Sequence, residues 1–393
     1  MGEARRILIL HATAGAGHRR AAEALEQAFR AVDPTSRVHA LNTLAFASRF
    51  FQRTYAQAYD TMVKRAPKVW GLLYWGSERE PFHRSTVRAR VRLDRFHLRR
   101  LERAIERFRP AAVVCTHFLP LEGLAPRAAR GRLGAPLYCV ITDFGAHPFW
   151  VYDGTTGYFV ATDEVKEELS DWGVRASAVE VTGIPVDLKF ARLVPQPEAR
   201  AALGLEPDRP VVLVMGGGNG VGPLHGLAEG LLGLPSAPQV VVLCGRNEAL
   251  RHRLGDLERA APGRIRAVGY TDEVDRWLAA ADVNVTKAGG LTCSESLARQ
   301  VPLVIYRPTP GQEERNSRAL TGAGAALRAR APQEVFELAE RILARSSLAR
   351  AMRQACEALG RPAAALDIAR HVLGQAGARE GAAADGPRVR VRG

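Results

Sequence analysis

The sequence has few cysteines and no long hydrophobic run. Its five cysteines are spread over 393 residues without a C-x-x-C pair, which favours reduced, buried thiols over a zinc site. No stretch of about 18 apolar residues is present, so no membrane-spanning helix is predicted. The apolar run at residues 7–10 is too short for a signal peptide, and we therefore expect a cytoplasmic protein.

Lysine is also scarce, and the pattern Asp-x-Asp is absent. Only five of the 55 basic residues are lysines, which we attribute to arginine-rich codon usage. Without an Asp-x-Asp pair, a diphosphate held by a metal ion is not expected. The sequence therefore predicts neither a metal nor another cofactor.

The formal net charge of +14 is unevenly distributed. Residues 43–110 contain sixteen Lys and Arg against six Asp and Glu, which accounts for +10 of the total. A localised basic surface favours an anionic partner, either a nucleic acid or an anionic lipid surface.

Aromatic residues are concentrated in the same part of the chain. Residues 46–75 contain eight Phe, Tyr and Trp side chains interspersed with Arg and Lys. Within this segment, the apolar stretch 69–75 has aromatic residues near both ends, Trp70 and Trp75. This pattern suits the headgroup region of a membrane, although a helix buried against the domain is the alternative. Residues 85–108 predict an amphipathic helix whose apolar stripe packs on the core and whose arginines face outward.

The chain length predicts two domains, and the pattern of strands and helices repeats accordingly. The first set of strands is predicted at residues 7–11, 111–115, 137–142, 158–161 and 179–182. The pattern restarts with strands at 211–215, 239–244, 265–268 and 282–285. We expect a first domain at 1–190, a proline-rich linker at 191–210, a second domain at 211–372 and a disordered tail at 375–393.

Polar residues follow two strands of the first domain, where open α/β sheets bind ligands. His18 ends a turn of small residues after the first strand, where it either projects into the ligand cleft or caps the helix. The dinucleotide fingerprint does not apply, because Arg20 occupies its third glycine position. Asp143 and His147 follow a later strand in the same way.

The second domain contains a stretch typical of a site for a phosphorylated sugar. Gly289 and Gly290 precede a helix predicted to start near Thr292, and such a helix N-terminus favours phosphate. Glu295 follows one turn later, and Gln312 and Glu313 offer an amide and a carboxylate to hydroxyl groups. The glycine loop at residues 216–222 is richer in glycine than phosphate binding requires.

Seven short motifs together resemble one family of glycosyltransferases. They are Gly15-Ala-Gly-His18, Thr142-Asp-Phe-(x)2-His147-Pro, Gly183-Ile-Pro-Val, Met215-Gly-Gly-Gly-(x)3-Gly-Pro223, Cys244-Gly-Arg-Asn, Thr286-Lys-Ala-Gly-Gly-Leu-Thr292 and Pro310-Gly-Gln-Glu313. In this order they resemble the monogalactosyl-diacylglycerol synthases and processive diacylglycerol glucosyltransferases, which are related to the peptidoglycan N-acetylglucosaminyltransferase. The resemblance implies the GT-B fold, an α/β architecture of two Rossmann-like domains with parallel sheets facing a central cleft.

The resemblance also implies an activity and its partners. It implies an inverting transferase that moves a hexose from UDP-glucose or UDP-galactose to diacylglycerol, peripherally at the cytoplasmic face of the cell membrane. An anionic membrane surface is then the expected partner of the basic region, and nucleic acid is not. Which UDP-sugar serves as donor stays open.

The donor residues implied by the resemblance lie in the second domain. Uracil is expected near Tyr270 and Thr271, the ribose at Glu295, and the sugar hydroxyls at Gln312 and Glu313. The diphosphate and the rest of the donor are expected on the turns that contain Gly217, Gly218, Arg246, Gly289, Gly290, Leu291 and Thr292.

Sugar transfer needs a base for the acceptor hydroxyl, which the first domain must supply. We favour His18, because a neutral imidazole titrates near the working pH. Asp143 and His147 are the alternative, or a relay that assists His18.

Four other functions compete with this interpretation. They are N-acetylglucosaminyl transfer to a polyprenyl-linked peptidoglycan precursor, UDP-sugar epimerisation, nucleic-acid binding, and a catalytically inactive UDP-sugar sensor. The basic aromatic segment argues against an epimerase, and the lack of a recognisable nucleic-acid module argues against nucleic-acid binding. The presence of His18 and Glu295 argues against an inactive sensor.

Overall fold

The computed structural model describes residues 4–12, 16–48, 52, 71, 75–76 and 99–381. Most of the expected aromatic segment 46–75, residues 85–98 of the expected amphipathic helix, Gly15 of the first motif and residues 382–393 lie outside the described residues.

A six-stranded parallel sheet forms the first half of the protein, in the order β2-β1-β3-β4-β5-β6. Its strands are β1 (Arg6–His11), β2 (Arg37–Asn42), β3 (Ala112–Cys115), β4 (Leu137–Val140), β5 (Gly157–Val160) and β6 (Val179–Val181). The helices that accompany it are α1 (Gly17–Val32), α2 (Arg99–Phe108), α3 (Phe118–Ala129) and α4 (Asp163–Asp171). The central strands are buried along their length, as expected of a parallel sheet covered on both faces.

A second six-stranded parallel sheet has the order β12-β11-β10-β7-β8-β9. Its strands are β7 (Val211–Met215), β8 (Gln239–Leu243), β9 (Ile265–Val268), β10 (Val283–Thr286), β11 (Leu303–Tyr306) and β12 (Ala326–Ala329). Its helices are α5 (Gln196–Ala202), α6 (Leu224–Leu232), α7 (Glu248–Ala260), α8 (Val274–Ala280), α9 (Gly290–Ala298), α10 (Gln312–Gly322), α11 (Pro332–Ala344) and α12 (Ser346–Leu359). The two Rossmann-like halves with parallel sheets are therefore confirmed.

Each sheet has a point at which the strand order reverses. In the first sheet β1 lies between β2 and β3, and in the second sheet β7 lies between β10 and β8. The chain therefore changes direction across the sheet between β1 and β3, and between β7 and β10. We call these places the first and the second switch point, and ligands of open α/β sheets bind beyond the carboxyl ends of such strands.

The last helix, α13 (Ala364–Gly381), packs on the first sheet rather than on the second. Ile368 and Val372 are fully buried in one cluster with Leu25 and Phe29 of α1. Each such side chain contributes about 1.5–3 kcal/mol when it is fully buried. The C-terminal helix therefore stabilises the N-terminal half of the protein.

The compact units have other boundaries than the expected domains. One unit contains Met1–Leu188, Pro310–Gln312 and Pro362–Gly393, and the other contains Lys189–Thr309 and Glu313–Arg361. Within the expected linker, α5 packs on α8, and the Arg200 guanidinium binds the Asp282 carboxylate at 2.6 Å. The proline-rich segment is thus part of the second unit, and residues 362–372 belong with the first.

Several elements differ from the sequence-based predictions. The edge strands β2 and β12 were not predicted, because their partly exposed faces carry polar residues and leave only a short apolar pattern. Within the described residues α11, α12 and α13 follow β12, and α13 continues to Gly381 into the expected disordered tail. The five cysteines are buried and form no disulfide, as predicted.

Candidate active site

His18 lies in the first turn of α1, close to the carboxyl end of β1 at the first switch point. Its Nδ1 atom is 2.8 Å from the carbonyl oxygen of Thr116 and 2.9 Å from Oγ1 of Thr142. The hydroxyl of Thr116 donates a hydrogen bond of 2.9 Å to the carbonyl oxygen of His18. Residues that follow β3 and β4 therefore both contact Nδ1 of the imidazole.

These contacts determine the tautomer of His18. A carbonyl oxygen only accepts hydrogen bonds, so Nδ1 carries the hydrogen and Nε2 keeps its lone pair. Burial lowers the pKa of His18 to about 4, against the opposing effect of the hydrogen bond to Thr116, and the nearby His11 lowers it further. At neutral pH the ring is uncharged, and Nε2 is able to accept a proton.

Two further histidines, which sequence reasoning did not single out, lie at the same switch point. The ring of His117 stands edge-on to that of His18, with 4.6 Å between centroids, and its Nδ1 accepts a hydrogen bond of 3.0 Å from the Leu119 amide. His11 ends β1, is only 6% exposed, and its Nδ1 has no hydrogen-bond partner among the described residues. Their positions at the ends of β1 and β3 are the signal by which they could have been found.

The histidines at the first switch point are neutral at physiological pH. Burial, assisted by the positive charge of Arg19, lowers the pKa of His11 to about 4. Burial and the two neighbouring histidines lower the pKa of His117 well below its usual value of 6.5. A cluster of uncharged imidazoles suits proton transfer better than it suits anion binding.

Asp143 and His147 lie in the loop that follows β4. Asp143 is half-buried and comes directly after Thr142, which contacts His18. His147 is buried, and its Nδ1 accepts a hydrogen bond of 3.2 Å from the Phe149 amide. It thereby caps the turn that carries Trp150, whose ring centroid lies 6.3 Å from that of His18. The catalytic roles of His18, Asp143 and His147 stay predictions.

The glycine loop after β7 lies at the second switch point. Gly220 has φ of 55°, and a Cβ atom there would lie 2.1 Å from the carbonyl oxygen of Cys244. The side-chain amide of Asn247 donates a hydrogen bond of 3.0 Å to the carbonyl oxygen of Gly220. Close packing on the loop after β8 thus requires glycine at position 220, independently of any role of the loop in phosphate binding.

Gly217, in the same loop, is not crowded by neighbouring atoms as Gly220 is. Its φ is 68°, and among the described residues nothing lies within 4 Å of the place where a Cβ would be. The next residue, Gly218, accepts a hydrogen bond of 3.1 Å from the Arg246 amide through its carbonyl oxygen. The backbone at Gly217 is therefore open to a ligand, whereas that at Gly220 is closed by protein.

Arg246 and Tyr270 bring the loops after β8 and β9 together. The Arg246 guanidinium lies 4.8 Å from the centroid of the Tyr270 ring, which is a cation–π distance. Tyr270 is 51% exposed, so much of its ring is accessible in the loop after β9. Thr271 accepts a hydrogen bond of 3.0 Å from the Glu273 amide and so fixes the entry into α8.

The N-terminus of α9 provides backbone amides for an anion. The helix begins at Gly290, two residues before the predicted start, and Gly289 is an N-cap without a side-chain hydrogen bond. The Cys293 amide already bonds to the carbonyl oxygen of Gly289, so the amides of Gly290, Leu291 and Thr292 precede the helical ladder. This is the arrangement that binds phosphate in other α/β proteins.

The remaining predicted donor residues lie on α9 and α10. Glu295 is buried one turn into α9, and Gln312 is the first residue of α10. Both oxygens of Glu313 have protein partners, since Oε1 is 3.0 Å from Nζ of Lys287 and Oε2 accepts a hydrogen bond of 2.6 Å from the Thr309 amide. Lys287 was not assigned a role from the sequence. The donor-binding roles stay predictions.

The predicted residues thus form two groups. His18, Asp143 and His147 belong to the first unit, at the ends of β1 and β4. The predicted donor residues follow the carboxyl ends of β7 to β11, and all of them except Gln312 fall in the second unit. Across the described part of the chain, no helix is long and apolar enough to cross a membrane, and no cluster of three potential metal ligands occurs.

Two family models match the chain and divide it near the boundary of the two units. The monogalactosyldiacylglycerol (MGDG) synthase model matches residues 18–186, and the model of the glycosyltransferase family 28 C-terminal domain matches residues 211–361. The first match begins at His18 and includes Asp143 and His147. The second includes every predicted donor residue.

Similar proteins extend over nearly the whole chain. A processive diacylglycerol beta-glucosyltransferase of Bacillus pumilus is 31% identical over 365 residues, which cover 91% of this chain and 92% of that protein. The structure of CalG4, the calicheamicin glycosyltransferase, has a TM-score of 0.60 at 17% identity and covers 95% and 99% of the two chains. MurG of Acinetobacter baumannii has a TM-score of 0.57 at 14% identity, covering 94% and 99%. The structural likeness shows a shared GT-B fold.

Proposed function

The chain belongs to the family of diacylglycerol glycosyltransferases, and from this premise we propose that it transfers a hexose from a UDP-sugar to 1,2-diacylglycerol. The product is a glycolipid, and the transfer inverts the anomeric configuration. The observation that carries the proposal is the neutral His18 side chain, whose Nδ1 is held by Thr116 and whose Nε2 keeps its lone pair.

His18 is the proposed base of the reaction. Its Nε2 takes the proton from the diacylglycerol hydroxyl while the hydroxyl oxygen attacks the anomeric carbon of the donor. The bond from that carbon to the diphosphate breaks in the same step, and UDP leaves with the bonding electrons. Direct displacement of this kind inverts the anomeric centre.

The leaving UDP acquires negative charge, which the second switch point is suited to stabilise. We propose that the amides of Gly290, Leu291 and Thr292 and the open backbone at Gly217 hold the diphosphate. Glu295 holds the ribose, the loop of Tyr270 and Thr271 holds the uracil, and Gln312 and Glu313 hold the hexose. Because helix amides supply the electrophilic stabilisation, we propose that no metal ion is required.

Transfer assays with the purified protein test this proposal. We expect a neutral glycolipid from diacylglycerol vesicles with UDP-glucose or UDP-galactose, with unchanged turnover in excess EDTA and a β-linked product from the α-linked donor. A parallel reaction pairs UDP-N-acetylglucosamine with a polyprenyl-linked peptidoglycan precursor. Transfer in that reaction alone, or no transfer to diacylglycerol from any donor, would contradict the proposal.

We further propose that the protein acts at the cytoplasmic face of the cell membrane and binds anionic lipid. Support comes from α2, which buries Leu101 and Ile105 while it exposes Arg103 and Arg107, with the exposed Arg109 directly after it. These three arginines make no ion pair with the described residues, and together with Arg6 and Glu106 they line an open cavity of about 450 Å³. Such a cationic face suits phospholipid headgroups.

Vesicle flotation tests the membrane proposal. Wild-type protein is expected to float with phosphatidylglycerol vesicles but not with phosphatidylcholine vesicles, and replacement of Arg103, Arg107 and Arg109 by Gln should reduce flotation. The matched control replaces the exposed arginines 253, 259 and 350 of the second unit. Equal losses in both triple variants would contradict a specific face, and a DNA gel shift at the same salt concentration tests nucleic acid as the competing partner.

A further inference from the structure

Lys287 connects the loop after β10 with the first turn of α10. Its Nζ lies 3.0 Å from Oε1 of Glu313, and the other carboxylate oxygen of Glu313 accepts a hydrogen bond of 2.6 Å from the Thr309 amide. The carboxylate is therefore held on one side by the loop after β10 and on the other by the loop after β11. Few other orientations are compatible with both contacts.

A second contact joins the same helix to the same loop. Asn316 is completely buried, and its side-chain amide donates a hydrogen bond of 2.9 Å to the carbonyl oxygen of Ala288. Glu313 and Asn316 are three residues apart and share one face of α10. This face therefore contacts two consecutive residues, Lys287 and Ala288, immediately before the Gly289–Gly290 turn. The contacts between α10 and the loop after β10 therefore belong to the packed structure of the second switch point. They are not a chance meeting of exposed side chains.

The charge of Lys287 has a further consequence at this place. Glu313 faces Lys287 from the first turn of the helix that follows β11. The side chains of Lys287 and Glu313 are only 29% and 14% exposed, so water screens their charges incompletely. The attraction between the two charges therefore strengthens the hydrogen bond that holds the Glu313 carboxylate in one orientation.

We propose that Lys287 is a positioning residue that prepares Glu313 to bind a hydroxyl of the donor hexose, an inference that rests on the proposed function. A carboxylate has about four acceptor sites, of which the lysine and the Thr309 amide take two. The remaining lone pairs accept from a sugar hydroxyl in a direction fixed before the donor arrives. Lys287 itself does not contact the diphosphate, and its effect is confined to the hexose.

Titration calorimetry with UDP and with the transferred UDP-hexose tests this inference. Lys287→Met keeps the length of the side chain and removes its charge. We expect it to weaken UDP-hexose binding at least about tenfold, which corresponds to about 1.4 kcal/mol. The affinity of the same variant for UDP should change less than about threefold. Lys287→Arg should restore most of the lost affinity, since the guanidinium also pairs with a carboxylate.

The double variant provides an independent readout. If Lys287 acts through Glu313, Lys287→Met combined with Glu313→Gln should bind UDP-hexose no worse than Glu313→Gln alone. Glu313→Gln replaces the charge by an isosteric amide, so this comparison is still informative if Lys287→Met by itself folds poorly. Arg259→Met, which removes an exposed ion pair on α7, is the matched control and should leave both affinities unchanged.

The outcomes separate this inference from the function on which it rests. An equal loss of UDP and UDP-hexose affinity in Lys287→Met would overturn it, because the lysine would then contact the nucleotide part directly. Unchanged affinities would overturn it as well. A wild-type protein that binds neither UDP nor a UDP-hexose would instead contradict the proposed function.

Discussion

The two switch points have the same position in equivalent sheets and yet carry different chemistry. The first is lined by His11, His18 and His117, whose side chains are buried or half-buried and uncharged at neutral pH. The second is lined by turns rich in glycine and by the uncapped N-terminus of α9, which offer backbone amides. The first switch point offers imidazole lone pairs that accept protons. The second offers backbone N–H groups that bind an anion.

Under the proposed function, this difference divides the reaction between the two halves of a repeated architecture. A parallel sheet provides only a position, the carboxyl ends of the strands on either side of the switch point. The residues after those strands decide whether the position takes up protons or phosphate. Sugar transfer requires both, since the attacking hydroxyl loses a proton and the leaving diphosphate gains charge.

Replacement of His18 tests the first switch point and should have the largest effect. His18→Gln removes the Nε2 lone pair, and we expect turnover to fall by about 10²- to 10⁴-fold, the usual contribution of a general base. The affinity for UDP should stay unchanged, because the proposed donor residues lie at the second switch point. Transfer kinetics and calorimetric titration measure the two quantities.

His252→Gln, at an exposed position of α7, is the matched control. Near-normal turnover of His18→Gln with intact donor binding would move the role of base to Asp143. In that case Asp143→Asn, rather than His18→Gln, should abolish transfer.

Two glycine substitutions test the second switch point. Gly220→Ala forces a Cβ into the Cys244 carbonyl and strains a positive φ, so the free energy of unfolding should fall by about 2–5 kcal/mol. Gly217→Ala meets no described atom and should lower it by only about 1–2 kcal/mol, while it weakens UDP binding. Urea unfolding and UDP titration measure both variants. Equal losses of stability would show that the two glycines do not differ in the way described.

The pH dependence of stability tests the histidines as a group. The folded-state pKa values of His11 and His18 are about 4, below the 6.5 of an unfolded chain, so the unfolded state binds more protons between these values. Their contribution is complete above pH 6.5 and is lost as the pH falls towards 4. The loss amounts to at most about 1.4 kcal/mol per pH unit for each histidine.

Urea unfolding at pH 7.5, 6 and 5 measures this slope. His11→Gln should make it shallower, because His11 is buried without a hydrogen-bond partner among the described residues. A slope that is the same in the variant and in the wild type would contradict the assignment of these pKa values to the first switch point.

Much of the fold could be predicted from the sequence. The central strands are short apolar runs that end at glycine or polar residues, so their positions agreed with the structure to within one or two residues for β1, β3, β7 and β8. The edge strands β2 and β12 escaped prediction because one face of each meets solvent. The place of α13 was not predictable, since no local pattern indicates that it packs on α1 of the first half.

The sequence by itself determined the strand ends, the glycine turns and the candidate residues His18, Asp143, Glu295 and Glu313, because strand and helix periodicity and turn chemistry are local properties. Only the tertiary structure decided what those residues contact. The tautomer of His18 depends on Thr116 and Thr142, about a hundred residues away in the chain, and the orientation of Glu313 depends on Lys287. Such contacts arise from the order of strands in a sheet, which brings distant loops to one edge and which no local pattern encodes.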